Sequence, residues 1–135
     1  MRTRAVLTDE DVIRVAEAAV AHARANEWNV TIAIVDDGGH LLHLRRLDSA
    51  SPITAEIAVS KARTASLGRR ESKVYEDVIK QGRTAFLSAP LTGMLEGGVP
   101  VIVNGDVIGA VGVSGVKSDQ DAAIARAGIA ALGVE

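Results

Sequence analysis

The stretch GGVPVIVNGDVIGAVGVSGVKSDQD, residues 97–121, joins a hairpin, a glycine-punctuated apolar strand and the start of a helix. Asn104-Gly105 between Val101-Ile102-Val103 and Val107-Ile108 is the signal of a two-residue turn, because both central positions of that turn need positive φ. The flanking runs are therefore expected to pair antiparallel. In the second run, strand alternation puts Ile108, Ala110, Gly112 and Ser114 on one face and Val107, Gly109, Val111 and Val113 on the other. Glycine weakens a strand interior. Gly109 and Gly112 thus mark either a close approach by a helix, another subunit or a ligand, or a bulge.

Upstream, Thr8-Asp9-Glu10-Asp11 reads as an N-cap followed by an acidic first turn, opening a helix to about Asn26. Val12, Ile13, Ala16, Ala19, Val20 and Ala23 form its expected core arc. Val30 to Val35 and His40 to Leu47 read as a first hairpin across Asp36-Asp37-Gly38-Gly39. Ser51-Pro52 opens a helix that runs to Leu67-Gly68, with Gly68 as its stop. Ser72 to Gly82 reads as a short polar helix, Arg83 to Glu96 as an irregular connection, and Ser118-Asp119-Gln120-Asp121 as the cap of a last helix to about Leu132. Two hairpins among helices give an α+β fold, an antiparallel sheet flanked by helices in a single domain over 1–135. No GxGxxG or GxxxxGK[ST] loop is present.

At 135 residues the chain is long enough to bury one core. The absence of cysteine excludes disulfides, thiolate catalysis and iron–sulfur ligation. A formal charge of -2 with interspersed signs, and Trp28, Tyr75 and Phe86 as the sole aromatic residues, gives no nucleic-acid footprint. MRTRAVLTDEDV lacks the apolar core of a secretion signal and no apolar run reaches membrane-spanning length, so a cytoplasmic protein is expected, with no membrane partner.

Several blocks carry a family resemblance: Val35-Asp36-Asp37-Gly38-Gly39-His40-Leu41, Arg46-Leu47-Asp48-Ser49-Ala50, Ser60-Lys61-Ala62-Arg63-Thr64-Ala65, Gly97-Gly98-Val99-Pro100, and Gly109 to Gly115. Together they resemble the GlcG/HbpS-like family, which includes the C-terminal domain of PduO-type corrinoid adenosyltransferases. The resemblance implies a profilin-like sandwich, a homo-oligomer of four or eight subunits, and a haem or other tetrapyrrole ligand, with sensing, degradation or small-molecule catabolism as the associated roles. It also implies a haem-ligating histidine on the first helix, which here is His22.

Haem needs an axial ligand, commonly histidine. His22 sits on a second, weakly apolar stripe of the first helix with Val15, Ala18 and Ala19. His40 and His43 fall on opposite faces of the second strand and cannot share a metal ion from that strand. Lys61 lies on an apolar helix face beside Ile57, Ala58, Thr64 and Ala65, so its ammonium must meet a carboxylate such as Asp36 or Asp48, carbonyl oxygens or an anionic ligand. Arg46 and Asp48 flank the exit of the second strand, placed to bind a carboxylate or to pair across the hairpin. Haem binding through His22, with Lys61 and Arg46 holding propionates, is the first functional reading. The second is proton transfer or hydration on an organic acid, with Lys61 or a histidine such as His40 as base and glycine N–H groups near Gly97-Gly98 or Gly115 stabilising an oxyanion. The third is a non-catalytic oligomeric scaffold.

Overall fold

A computed structural model describes residues 1–134, so the domain expected over 1–135 extends one residue beyond the described part. Helix α1, Asp9–Ala25, opens on a reciprocal cap: Asp11 N–H donates to the Thr8 hydroxyl, and Thr8 N–H donates to the Asp11 carboxylate. Strands β1, Thr31–Asp36, and β2, Leu41–Arg46, form the first hairpin. Helices α2, Ile53–Gly68, and α3, Ser72–Lys80, follow, and the connection expected to be irregular contains a 3-10 turn at Thr84–Ser88. Strands β3, Gly98–Val103, and β4, Asp106–Ser114, form the second hairpin before α4, Ser118–Ala130. Asn104 and Gly105 have φ of 51° and 81°, as the turn type requires.

The four strands pair antiparallel in the order β2-β1-β4-β3. Ile32, Ile34, Val99, Val111 and Val113 pack with α1 and α4 on one face, while Ala33, Val35 and Ala110 meet Ala58, Ala62 and Ala65 of α2 on the other. Arg14 reaches the carbonyl of Ala131, and Val15 and Ala19 lie against Gly128, so α1 and α4 run antiparallel.

Three sequence expectations change. Val15 is fully buried while Ile13 is half exposed, because α4 packs on the Val15 side of α1 and shifts the buried arc toward it. Ile108 joins Val111 and Val113 on the α1/α4 face, because the pairing of β3 with β4 slips between Val101 and Ile102 and turns that end of the strand over. Gly68 ends α2, but the left-handed residue is Arg69, at φ 59°. Gly68 instead leaves room for the Tyr75 ring, whose hydroxyl donates to its carbonyl.

Both readings of the strand glycines hold, at different positions. At Gly112 an added Cβ would land on the Ala58 carbonyl and the Ala62 amide, so the close approach is by α2. Gly109 sits beside the bulge and against Leu7 of the N-terminal segment. Gly112→Ala is expected to cost about 3 kcal/mol through overpacking against helix backbone that cannot yield. Gly105→Ala, which meets nothing but has φ 81°, should cost only about 1 kcal/mol. Urea denaturation of the two variants measures the difference.

Candidate functional site

Lys61 projects from α2 past the end of β4, and its ammonium donates to the Asp121 carboxylate and to the Val113 carbonyl, each at 3.0 Å. Lys61 is 3% exposed and Asp121 2%. The expected internal ion pair is thus present, but its partner is neither Asp36 nor Asp48. Asp36 is committed to its own turn, where Oδ1 accepts from Gly38 N–H, His40 N–H and the His40 ring, and Asp48 is exposed. Asp121 was read from sequence only as part of a helix cap. It lies in the first turn of α4, and Val116 N–H also donates to its carboxylate, at 3.1 Å. Burial pushes the Asp121 carboxyl above its ordinary value, against the pull of the Lys61 charge and the Val116 and Gly115 N–H groups.

The glycines near this pair make room for it. A Cβ on Gly97 would stand 2.7 Å from Lys61 Nζ, and one on Gly98 would strike the Lys61 carbonyl. Gly98 N–H donates to Ser72 Oγ at 2.8 Å and Gly115 N–H faces Asp121, so neither is open to an oxyanion. That corrects the expected role of the Gly98 and Gly115 amides.

His22 lies in the last turn of α1, half-buried, with its ring 6.1 Å from that of Trp28 at a tilt of 57°. Its ring nitrogens make no hydrogen bond among the described residues; its carbonyl accepts from Asn26. Sequence reasoning gave Trp28 no part here, and the signal for it was proximity, six residues on, just past the helix end. His40 lies before β2 rather than within it, with its side chain mostly exposed and its ring 3.3 Å from Asp36. His43 pairs with Ile34, on the α1 face of the sheet, and is half-buried.

Arg46 pairs with Thr31, whose hydroxyl meets that of Thr54 at 2.8 Å, so Arg46 belongs to the α2 face. His22 is on the opposite layer and Lys61 is internal. The three residues expected to hold one cofactor are therefore not brought together within a protomer. Neither Arg46 nor Asp48 forms an ion pair among the described residues.

Two apolar clefts lie elsewhere. One, of about 690 Å³, is formed by α3, the 3-10 turn and the 91–95 segment, with Leu87, Leu91, Met94 and Leu95 in its wall beside Lys80 and Glu76. The other, of about 510 Å³, lies along β3 and the C-terminal half of α4. Lys61 lines neither. On β2, at one sheet edge, Leu41, Leu42 and Leu44 are 41–51% exposed.

Residues 7–130 match the family model described as haem degrading protein HbpS-like. The chain is 54% identical to protein GlcG of Escherichia coli strain K12 over 114 residues, 84% of this chain and 85% of GlcG. Among solved structures, an HbpS double mutant from Streptomyces reticuli superposes with a TM-score of 0.88 at 32% identity, covering 98% of this chain and 91% of that one. PduOC in complex with haem superposes with a TM-score of 0.87 at 29% identity, covering 97% and 98%.

Lys61→Met strands a buried carboxylate and is expected to cost about 3 to 5 kcal/mol, whereas Lys61→Met with Asp121→Leu should return stability to the wild-type level or above. A double-mutant cycle in urea reads the coupling. A second expectation concerns acid. Burial raises the Asp36 carboxyl, but the His40 and Gly38 N–H groups and the His40 ring charge outweigh it and hold it below 3.8. Its stabilising contribution is then complete above that value and is lost as pH falls through the lowered one. Asp36→Asn should flatten the loss of stability on acidification, measured by thermal melts down to pH 2.

Proposed function

The chain belongs to the HbpS-like family, and we propose that it binds haem, with the His22 imidazole as axial ligand of the iron. The observation that carries this reading is the placement of His22. It is the one histidine on the first helix, its ring nitrogens are unbonded among the described residues, and it stands beside Trp28 on a fold that in PduOC holds haem.

The residues present fit such a group on two counts. An axial imidazole needs one ring nitrogen with its lone pair free, and among the described residues neither ring nitrogen of His22 is taken up by a hydrogen bond, the contact with Asn26 being made by the His22 carbonyl. A porphyrin face needs an apolar or aromatic neighbour, and Trp28 and the half-buried Ala18 on the same stripe of α1 supply one wall. When bound, haem would supply a redox-active iron whose potential depends on its axial ligands and on burial. The chain's own part is to present the imidazole from a rigid helix whose first turn is capped at Thr8 and whose inner face is locked against α4. Trp28 stands beside that imidazole, its ring centroid 6.1 Å away.

Among the described residues Trp28 is the one aromatic ring beside His22, and we assign the second wall to self-association. The exposed leucines of β2 support a homo-oligomer, because an apolar sheet edge is a ready surface for pairing. Arg46, on the same edge strand, would then hold a propionate only from a neighbouring subunit. The proton-transfer reading has less behind it. The Lys61 ammonium is held by a carboxylate and a carbonyl, away from both clefts, and is assigned here to structure. His40 is paired with Asp36 in an exposed turn, its own side chain 78% exposed, and it is not among the residues lining the small cavity beside Asp36 and Asp37.

Titration with hemin is expected to give saturable binding with a defined Soret band. His22→Ala should lose that band, while His40→Ala and His43→Ala retain it. A band unchanged in His22→Ala removes the assignment, and light scattering on the same samples reports the oligomer.

A further inference from the structure

The cleft along β3 joins an apolar floor to unpaired positive charge, and nothing in the haem reading uses it. Val99, Pro100 and Ile102 of β3 and Ile129 of α4 form the floor. Arg69, Arg70 and Arg126 stand at the rim with a single carboxylate, Glu71, which pairs with Arg126. Arg69 and Arg70 have no carboxylate partner among the described residues. Arg70 lies 5.9 Å from the Tyr75 ring centroid, and Arg69 donates through Nη1 alone, to the carbonyls of Asp37 and Ser66. The Nε and Nη2 groups of Arg69 remain open, and together they match the two oxygens of a carboxylate.

A second, independent observation singles out Arg69. It occupies the left-handed position after α2, φ 59° and ψ 29°, where glycine or asparagine is the favoured residue. An arginine there sustains a backbone cost that glycine would not. Such a residue, braced by two carbonyls on the rim of a cleft, is held in place for its head group. The occupant is not another strand. Pro100 has no amide hydrogen to offer, so the outer edge of β3 cannot continue the hydrogen-bond ladder.

We infer that this cleft is a binding site for a small amphipathic carboxylic acid, its apolar body on Val99, Ile102 and Ile129 and its carboxylate on Arg69 and Arg70. The volume of about 510 Å³ is in the range of small-molecule pockets. Arginine forks over an apolar floor favour a planar carboxylate with a hydrocarbon body over a free inorganic anion, which would leave the floor uncovered. The site is separate from His22, which lies on α1 rather than in this cleft, and it does not depend on haem binding.

The probe is 2-naphthoate, followed by its fluorescence and by calorimetry on the full chain, with 2-naphthamide as the neutral counterpart. Saturable one-to-one binding of the acid, with the amide weaker by about tenfold or more, supports the site. Arg69→Gly should weaken binding by about tenfold while leaving Tm equal or higher, because glycine suits the left-handed position. Arg70→Gln should weaken binding similarly, and His22→Ala should leave it unchanged. Equal binding of acid and amide, or no saturable binding, overturns the proposal. So does displacement of naphthoate by one equivalent of hemin, which would make the cleft the haem site, or a lower oligomer mass in Arg69→Gly, which would give the surface to a second copy of this chain.

Discussion

The ion pair between Lys61 and Asp121 ties the two helical layers together around the end of β4. Lys61 belongs to α2, on one face of the sheet, and Asp121 to α4, which packs on the other. With both side chains almost wholly buried, neither charge is tolerable without the other, since the desolvation of an isolated buried ion is several kcal/mol. The neighbouring chain is shaped to this contact. Gly97 and Gly98 leave space for the lysine, the Val113 carbonyl takes a second ammonium hydrogen, and the Val116 amide takes the second carboxylate oxygen. The glycine-rich blocks that in a nucleotide-binding fold would cradle phosphate here admit a side chain and a helix.

The interior is consequently filled. Alanines of α2 lie directly on Gly112 and on the small residues of β1 and β4, which leaves the sheet and helices in close contact. The described clefts lie at the periphery, beside α3 and β3, as do His22 with Trp28 on the α1 flank and the apolar β2 edge. A scaffold of this kind can change ligand by altering a few surface positions while its buried pair and glycines stay fixed.

Much of this architecture was legible in the sequence because it is local. The Asn104-Gly105 turn, the Thr8 cap and Pro52 at the start of α2 each satisfy a backbone requirement that needs no distant partner. Lys61 was legible as a residue in need of a counter-charge, because periodicity placed it among Ile57, Ala58 and Ala65. Its partner was not, since sequence spacing says nothing of which acid lies across a sheet end. A signal existed all the same: Asp121 shares a helical face with Ile124, Ala125 and Gly128, and an acid on an apolar stripe calls for a cation. Ile108 was misplaced because a bulge breaks the period of two, and Arg69 was missed because an adjacent glycine offered the simpler helix stop. His22 was singled out by resemblance together with its place on the first helix, whereas the position of Trp28 beside it depended on how the chain turns back after α1.

The position of the iron tests this account most directly. Crystals of the chain grown with hemin, measured at the iron absorption edge, would give an anomalous peak for each bound haem. The account requires that peak within bonding distance of the His22 imidazole, with Trp28 alongside the porphyrin and the rim of Arg69 and Arg70 free of iron. A peak in the cleft of Met94, or in the arginine-rimmed cleft beside β3, would contradict it.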